Sequence, residues 1–181
     1  MPAIGSTSEA REGQAGDGVL EGTGMTQMDQ AALAYLARRD VSAQWRGFLR
    51  ALLETLDANL DRNTRNGLLR AVGGRLGQAL PLPAATTLAE LEARMNAALA
   101  ELSWGYVSVA LDEADRSLRL SHHAAPVVGA PGDEVGSWFA TVLEGLYTAW
   151  LAAQQGGGSE AGPQLRVVQS EPGLVQLRYG G

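Results

Sequence analysis

The sequence predicts an α+β fold in which about five helices pack with one four-stranded antiparallel sheet built from two hairpins. Three observations carry that prediction. Apolar residues recur at the i, i+3, i+4, i+7 spacing of one helix face in five separate stretches of the chain. Two other stretches alternate apolar and polar residues on either side of a short turn, the spacing of a hairpin. Proline and glycine clusters separate most of these stretches.

Residues 1 to 24 are rich in Gly, Ser, Ala, Glu and Thr and nearly lack large apolar side chains. Such a composition cannot repay the entropy of folding, so a disordered tail is expected. Residues 25 to 41 form a short helical extension. In TQMDQAALAYLARR, Thr26 and Asp29 give a capping signal, and Met28, Ala32, Tyr35 and Leu36 share a face. This segment suits a docking element. Residues 42 to 181 then make up one α+β domain.

The second helix follows Ser42, where Trp45, Phe48, Leu49, Leu52, Leu53 and Leu56 form a continuous stripe suited to a core or an interface. Asn63 is expected to cap the third, which carries Leu68, Leu69, Val72, Leu76 and Leu80 and stops at Pro81 and Pro83. Thr87 opens the fourth, with Leu88, Leu91, Met95, Leu99 and Leu102. A hairpin comes next: Trp104 to Leu111 and Ser117 to His122 flank the polar turn DEAD. After the loop VVGAPGDEVG, Val135, Trp138, Phe139, Val142, Leu146 and Trp150 mark the fifth helix, which QQGGGSEAGP breaks. Gln164 to Gln169 and Leu174 to Tyr179 flank SEPG as a second hairpin. Several of these stripes are wider than a domain of this size needs, so surface reserved for self-association is expected.

Composition excludes several functions. The chain has 181 residues with 45% hydrophobic and 19% charged, enough for one core and a tail. Its formal charge is −6 and every cationic side chain is arginine, scattered among acids, which disfavours duplex nucleic acid as a partner. No cysteine is present, so there is no disulfide framework, and a reducing compartment fits. The N-terminal residues show no basic stretch followed by an apolar one, so neither a signal peptide nor a membrane anchor is expected, and the cytoplasm is the expected compartment.

Reactive constellations are equally absent from the pattern. His122 and His123 are the two histidines, and adjacent strand residues face opposite ways, so they cannot readily chelate one ion. His122 falls on the apolar face with Leu118 and Leu120 and is expected to be a half-buried residue with a hydrogen-bond partner; His123 is expected to be solvated. Gly73, Gly74 and Gly77 lie inside a helical pattern and follow no strand, which makes them close-packing positions rather than a phosphate loop. Glu144, Asp112, Glu113 and Asp115 read as solvated acids, since nothing places two of them about a cleft. Of Trp45, Trp104, Trp138 and Trp150, three sit in core stripes, and core is the reading taken over stacking on sugars. No metal and no cofactor is implied.

The run LSWGYVSVALDEADRSLRLSHHAAPVVG, followed by GSWFATVLEGLYTAWLAAQ, resembles the BcsD family of cellulose synthase subunits encoded in bacterial cellulose operons, as does RNGLLRAVGGRLGQALPLP upstream. The resemblance runs from roughly Ala43 to Tyr179 and is carried by packing motifs rather than chemical ones; the first forty or so residues depart from the family pattern. It implies a non-enzymatic accessory subunit that forms a ring-like or cylindrical octamer, a tetramer of dimers, through which β-1,4-glucan chains pass toward export and crystalline packing. It further implies work on the cytoplasmic side with the other synthase subunits, in some members beside a Pro-rich accessory protein. Under this reading the glucan-contact candidates are Tyr35, Arg39, Gln44 and Trp45, at the N-terminal edge of the matched region. The candidates for contact between subunits are Phe48, Leu52, Trp138 and Val142, from the two widest stripes. The same order of helices and hairpins also resembles small sensor or trafficking domains that hold haem or lipid between helices and sheet; haem would need an axial ligand, for which His122 is the apolar-face candidate.

Overall fold

The computed structural model describes residues 41–133, 136–154 and 164–180. Among them are four helices, α1 (Ala43–Asn59), α2 (Arg62–Ala79), α3 (Leu88–Leu102) and α4 (Trp138–Gln154). There are also four strands, β1 (Tyr106–Asp112), β2 (Ser117–His123), β3 (Leu165–Glu171) and β4 (Leu174–Tyr179). The count of helices is one short of the expected five, because the segment from Thr26 to Arg39 lies outside the described residues. The expected tail, residues 1 to 24, lies outside them too.

Both hairpins form, and they join into one antiparallel sheet of order β1-β2-β4-β3, in which β2 and β4 are central. Alternation puts Val107, Leu120, His122, Val175, Leu177 and Tyr179 on the buried face. The first strand starts at Tyr106 rather than Trp104. Gly105 turns the chain there with φ of +86°, and a side chain at that position would strike the carbonyls of His123 and Ala124. The second turn is tighter than SEPG implied, since β3 runs on to Glu171 and Gly173 takes φ of +79°.

Beneath the sheet runs α4, with ten buried residues on nearly all sides. Its outer partner is α2, and the crossing is set by small residues. Gly73 lies against the Val142 backbone, Gly145 against the Arg70 backbone, and a methyl on Gly77 would come within 2.8 Å of Ala149 Cβ. Gly73 and Gly77 are therefore close-packing positions as expected, whereas Gly74 faces open space. The α4 indoles tie down the connections: Trp150 Nε1 donates to the Leu80 carbonyl at 2.8 Å, where α2 ends, and Trp138 Nε1 to the Val128 carbonyl at 2.8 Å.

Helix starts differ from expectation by a few residues. Asp61, not Asn63, caps α2, its carboxylate accepting from the Asn63 and Thr64 amides at 2.9 and 3.1 Å. Thr87 caps α3 as expected. The α4 helix begins at Trp138, with Asp133 accepting from the Ser137 and Trp138 amides; Val135 lies outside the described residues. Along the outer edge of β1, Asn96 of α3 exchanges two hydrogen bonds with the Val107 backbone at 2.7 and 2.9 Å, and Glu92 accepts from the Val109 amide. These side chains occupy backbone groups that another strand would otherwise seek.

Candidate functional site: an apolar groove beside helix α1

The α1 helix rests mainly on α2 and buries a single residue, Leu53, which is 2% exposed. The rest of its stripe faces outward. Trp45 is 56% exposed and Phe48 57%, their rings edge-on at 5.7 Å, and Leu52 is exposed beside them. Trp45 is thus not the core residue its stripe suggested. On α2, Leu68 and Val72 are exposed as well, so two neighbouring helices present apolar side chains to one side. Between these helices, Trp104, Pro126 and the start of α4 lies an open groove of about 780 Å³ with a mostly apolar lining. Exposed apolar patches of this kind are common at interaction and ligand-binding sites.

The expected contact residues divide across this groove. Leu52 is exposed in the groove's lining, Phe48 is exposed against Trp45 outside that lining, and Gln44 is exposed next to Trp45 in the first turn of α1. Trp138 and Val142 are buried in the protomer and reach the groove only as part of its floor, because α4 packs on all sides. Tyr35 and Arg39 lie outside the described residues. Leu68 and Val72 join the site without having been singled out as contact residues; the signal was their place on the third helix's stripe, outside the Leu69, Gly73, Gly77 line that packs on α4.

The histidines belong to the core instead. His122 is fully buried, not half-buried, and both ring nitrogens are engaged: Nε2 lies 2.7 Å from the Trp104 carbonyl and Nδ1 2.5 Å from the Tyr147 hydroxyl. A carbonyl can only accept, so Nε2 carries the proton and the Tyr147 hydroxyl donates to Nδ1. No nitrogen is left for a haem iron, which removes His122 as an axial ligand. His123 is not simply solvated. It is partly buried and stacked against Tyr106 with ring centroids 4.9 Å apart. Three of the four acids are not free: Glu144 pairs with Arg70 at 2.8 Å, Asp112 with Arg119 at 2.8 Å, and Asp115 with Arg178, while Glu113 is exposed as expected. Among the described residues, no three of His, Asp or Glu come together as metal ligands.

Burial holds the His122 pKa down to about 4, and burial pushes the Tyr147 phenol up. Because the folded value lies below that of a free histidine, the unfolded chain binds the extra proton between about pH 6.5 and pH 4. Stability is therefore expected to be insensitive to this group above pH 7 and to fall by roughly 3 kcal/mol as pH drops to 4. His123, also lowered by desolvation, acts in the same direction. Urea midpoints measured from pH 7.5 to pH 4.5 should decline, and His122→Gln should flatten the decline while lowering the plateau. An unchanged slope in that variant would assign the acid sensitivity to other groups.

The described residues make an α+β domain with an open, mostly apolar groove, and its two histidines are held by packing and hydrogen bonds. Residues 31–180 match the BcsD family of cellulose synthase subunits, and the chain belongs to it. The match begins at residue 31, upstream of Ala43, so part of the segment from residue 25 to residue 41 belongs to the family pattern after all. The chain is 38% identical over 109 residues to a cellulose synthase operon protein D of Komagataeibacter xylinus, covering 60% of this chain and 70% of that protein. A second protein of that name from the same species is 40% identical, and one from Komagataeibacter sucrofermentans 38%, both over 109 residues with the same coverage.

Proposed function

We propose that this member of a cellulose synthase operon is a non-catalytic accessory protein that assembles into a ring-like oligomer and guides β-1,4-glucan chains toward export and crystalline packing. The observation that carries the reading is the apolar groove lined by Trp45, Leu52, Leu68 and Val72, with Phe48 exposed against Trp45, which the described residues of one chain leave open. Eight subunits, as a tetramer of dimers, is the number the family resemblance implies. A guide needs no nucleophile; it needs a stable ring and shallow polar contacts that let a chain slide, for which Tyr35, Arg39, Gln44 and Trp45 are the candidates. The work is assigned to the cytoplasmic side, with the other synthase subunits and a Pro-rich accessory protein as partners. No described helix is long and apolar enough to cross a membrane.

Deletion of the gene tests the role. Membranes of the deletion strain are expected to keep converting UDP-glucose into β-1,4-glucan in vitro, while secreted cellulose falls in amount or loses crystalline order by X-ray diffraction. Normal yield and diffraction would defeat the guide role, and loss of synthesis in vitro would place the protein in the catalytic machinery. The lipid-sensor alternative keeps one observation in its favour, the volume of the groove; co-purification of lipid with a monomeric protein would select it.

A further inference from the structure

The sheet has a second face. Alternation that buries Val107, Leu120 and Leu177 turns the intervening residues outward, and the strand register lines them up in rows across all four strands. The middle row reads Ser108, Ser121, Gln176, Gln169: two hydroxyls and two amides, one from each strand, with a bulge between Val167 and Gln169, and the Gln169 Nε2 donates to the Glu171 carboxylate at 2.8 Å. At four strands spaced by about 4.8 Å, this row is about 14 Å long. Beside it on β1 stands Tyr106, 48% exposed, one side of its ring covered by His123, which stacks nearly parallel at an interplanar angle of 15°. On the other flank, Arg119 and Arg178 are ion-paired with Asp112 and Asp115, while Arg166, which completes that row on β3, has no ion pair among the described residues.

We propose that this outward face is a glucan contact: a β-1,4-glucan chain crosses the strands along Ser108, Ser121, Gln176 and Gln169, with a sugar ring against Tyr106. The inference rests on the guide reading above and adds a site distinct from the edge residues Gln44 and Trp45. The chemistry selects the ligand. Neutral groups that both donate and accept match the hydroxyls along a glucan, and an immobilised aromatic ring matches the apolar face of a pyranose. A second copy of the chain is a poor occupant, because stable subunit interfaces have apolar centres, whereas here the middle is polar and the exposed apolar side chains Tyr106 and Val168 lie on the two edge strands. Nucleic acid is disfavoured by the overall charge of −6. Single hydroxyl and amide contacts are each weak, which suits a chain that must move along the surface rather than stay.

Titration calorimetry of the full-length protein with cellohexaose, and with maltohexaose for comparison, tests the assignment. The β-linked oligomer is expected to bind and the α-linked one to bind at least tenfold more weakly. Tyr106→Ala should weaken cellohexaose about tenfold, the equivalent of one lost aromatic contact. Ser121→Ala combined with Gln176→Ala should give a similar loss, and both variants should melt as the wild type does. Should Tyr106→Ala fold poorly, Ser108→Ala with Gln169→Ala serves the same purpose. Wild-type affinity in these variants, with loss in Gln44→Ala, would overturn the sheet face and leave the guide role standing. Failure of the wild type to bind any cello-oligosaccharide would overturn both. Dissociation of the oligomer by the sheet-face substitutions would show that a second copy covers the face, and would overturn it equally.

Discussion

Replacing Gly73 by valine is expected to destabilise the protein by about 3 kcal/mol, a drop in melting temperature on the order of 10 °C for a domain of this size. The reason is local. A Cβ at Gly73 would fall inside contact distance of the Val142 carbonyl and the Leu146 amide, and backbone atoms cannot swing aside as the end of a side chain can. The helices α2 and α4 would have to separate, opening the contact that covers the outer side of the central helix. Gly74→Ala, one residue along, is the control. Its Cβ meets nothing within 4 Å, so the better helix propensity of alanine should leave stability unchanged or raise it by up to about 1 kcal/mol. Denaturant unfolding of the two variants checks the contrast, and equal effects would mean that the glycines act through helix propensity rather than packing.

Phe48→Asp combined with Leu52→Asp is expected to collapse the oligomer. Both side chains are exposed on the protomer, so charges there disturb no protomer core, yet in an assembled interface they would be desolvated without partners. Light scattering coupled to size exclusion should report a wild-type mass several times 19.0 kDa and a variant close to a monomer or dimer, with helical circular dichroism retained. Leu53→Asp supplies the comparison. That side chain is the one α1 buries, so the charge should unfold the helix from α2 as well as reduce the mass. An unchanged mass in the Phe48/Leu52 variant would place the contact between subunits elsewhere, and a monomeric wild type would defeat both the oligomer and the guide.

Much of the architecture was legible because period and punctuation are local properties of the chain. The alternation in YVSVALD and SLRLSHH, with a polar turn between them, specifies the first hairpin whatever lies above it. Pro81 ends α2, and Thr87 caps α3 through its own side chain. Boundaries slipped where a cap was chosen between close polar neighbours: Asp61 and Asn63 both suit the role, and which one accepts the amides depends on where the chain turns out of α1. The candidate site was legible only in part. An apolar stripe states that a helix face avoids water, but not whether its own domain or another surface covers it.

Sequence by itself determined the α+β class, the order of the elements in residues 42 to 181, the sorting of His122 and His123 to opposite faces and the packing role of Gly73 and Gly77. Each follows from backbone periodicity or from the absence of a side chain. Tertiary structure alone decided that α4 is buried nearly all round while α1 buries one residue, although the two stripes look alike in the sequence. It also decided that Trp138 and Val142 face inward where Phe48 and Leu52 face outward, and that Tyr147 and the Trp104 carbonyl occupy both nitrogens of His122. The row of Ser108, Ser121, Gln176 and Gln169 depends likewise on β4 pairing with β2, a contact between residues more than fifty positions apart that no local pattern encodes. Burial and long-range register are properties of the space between elements, and that space exists only once the chain has folded.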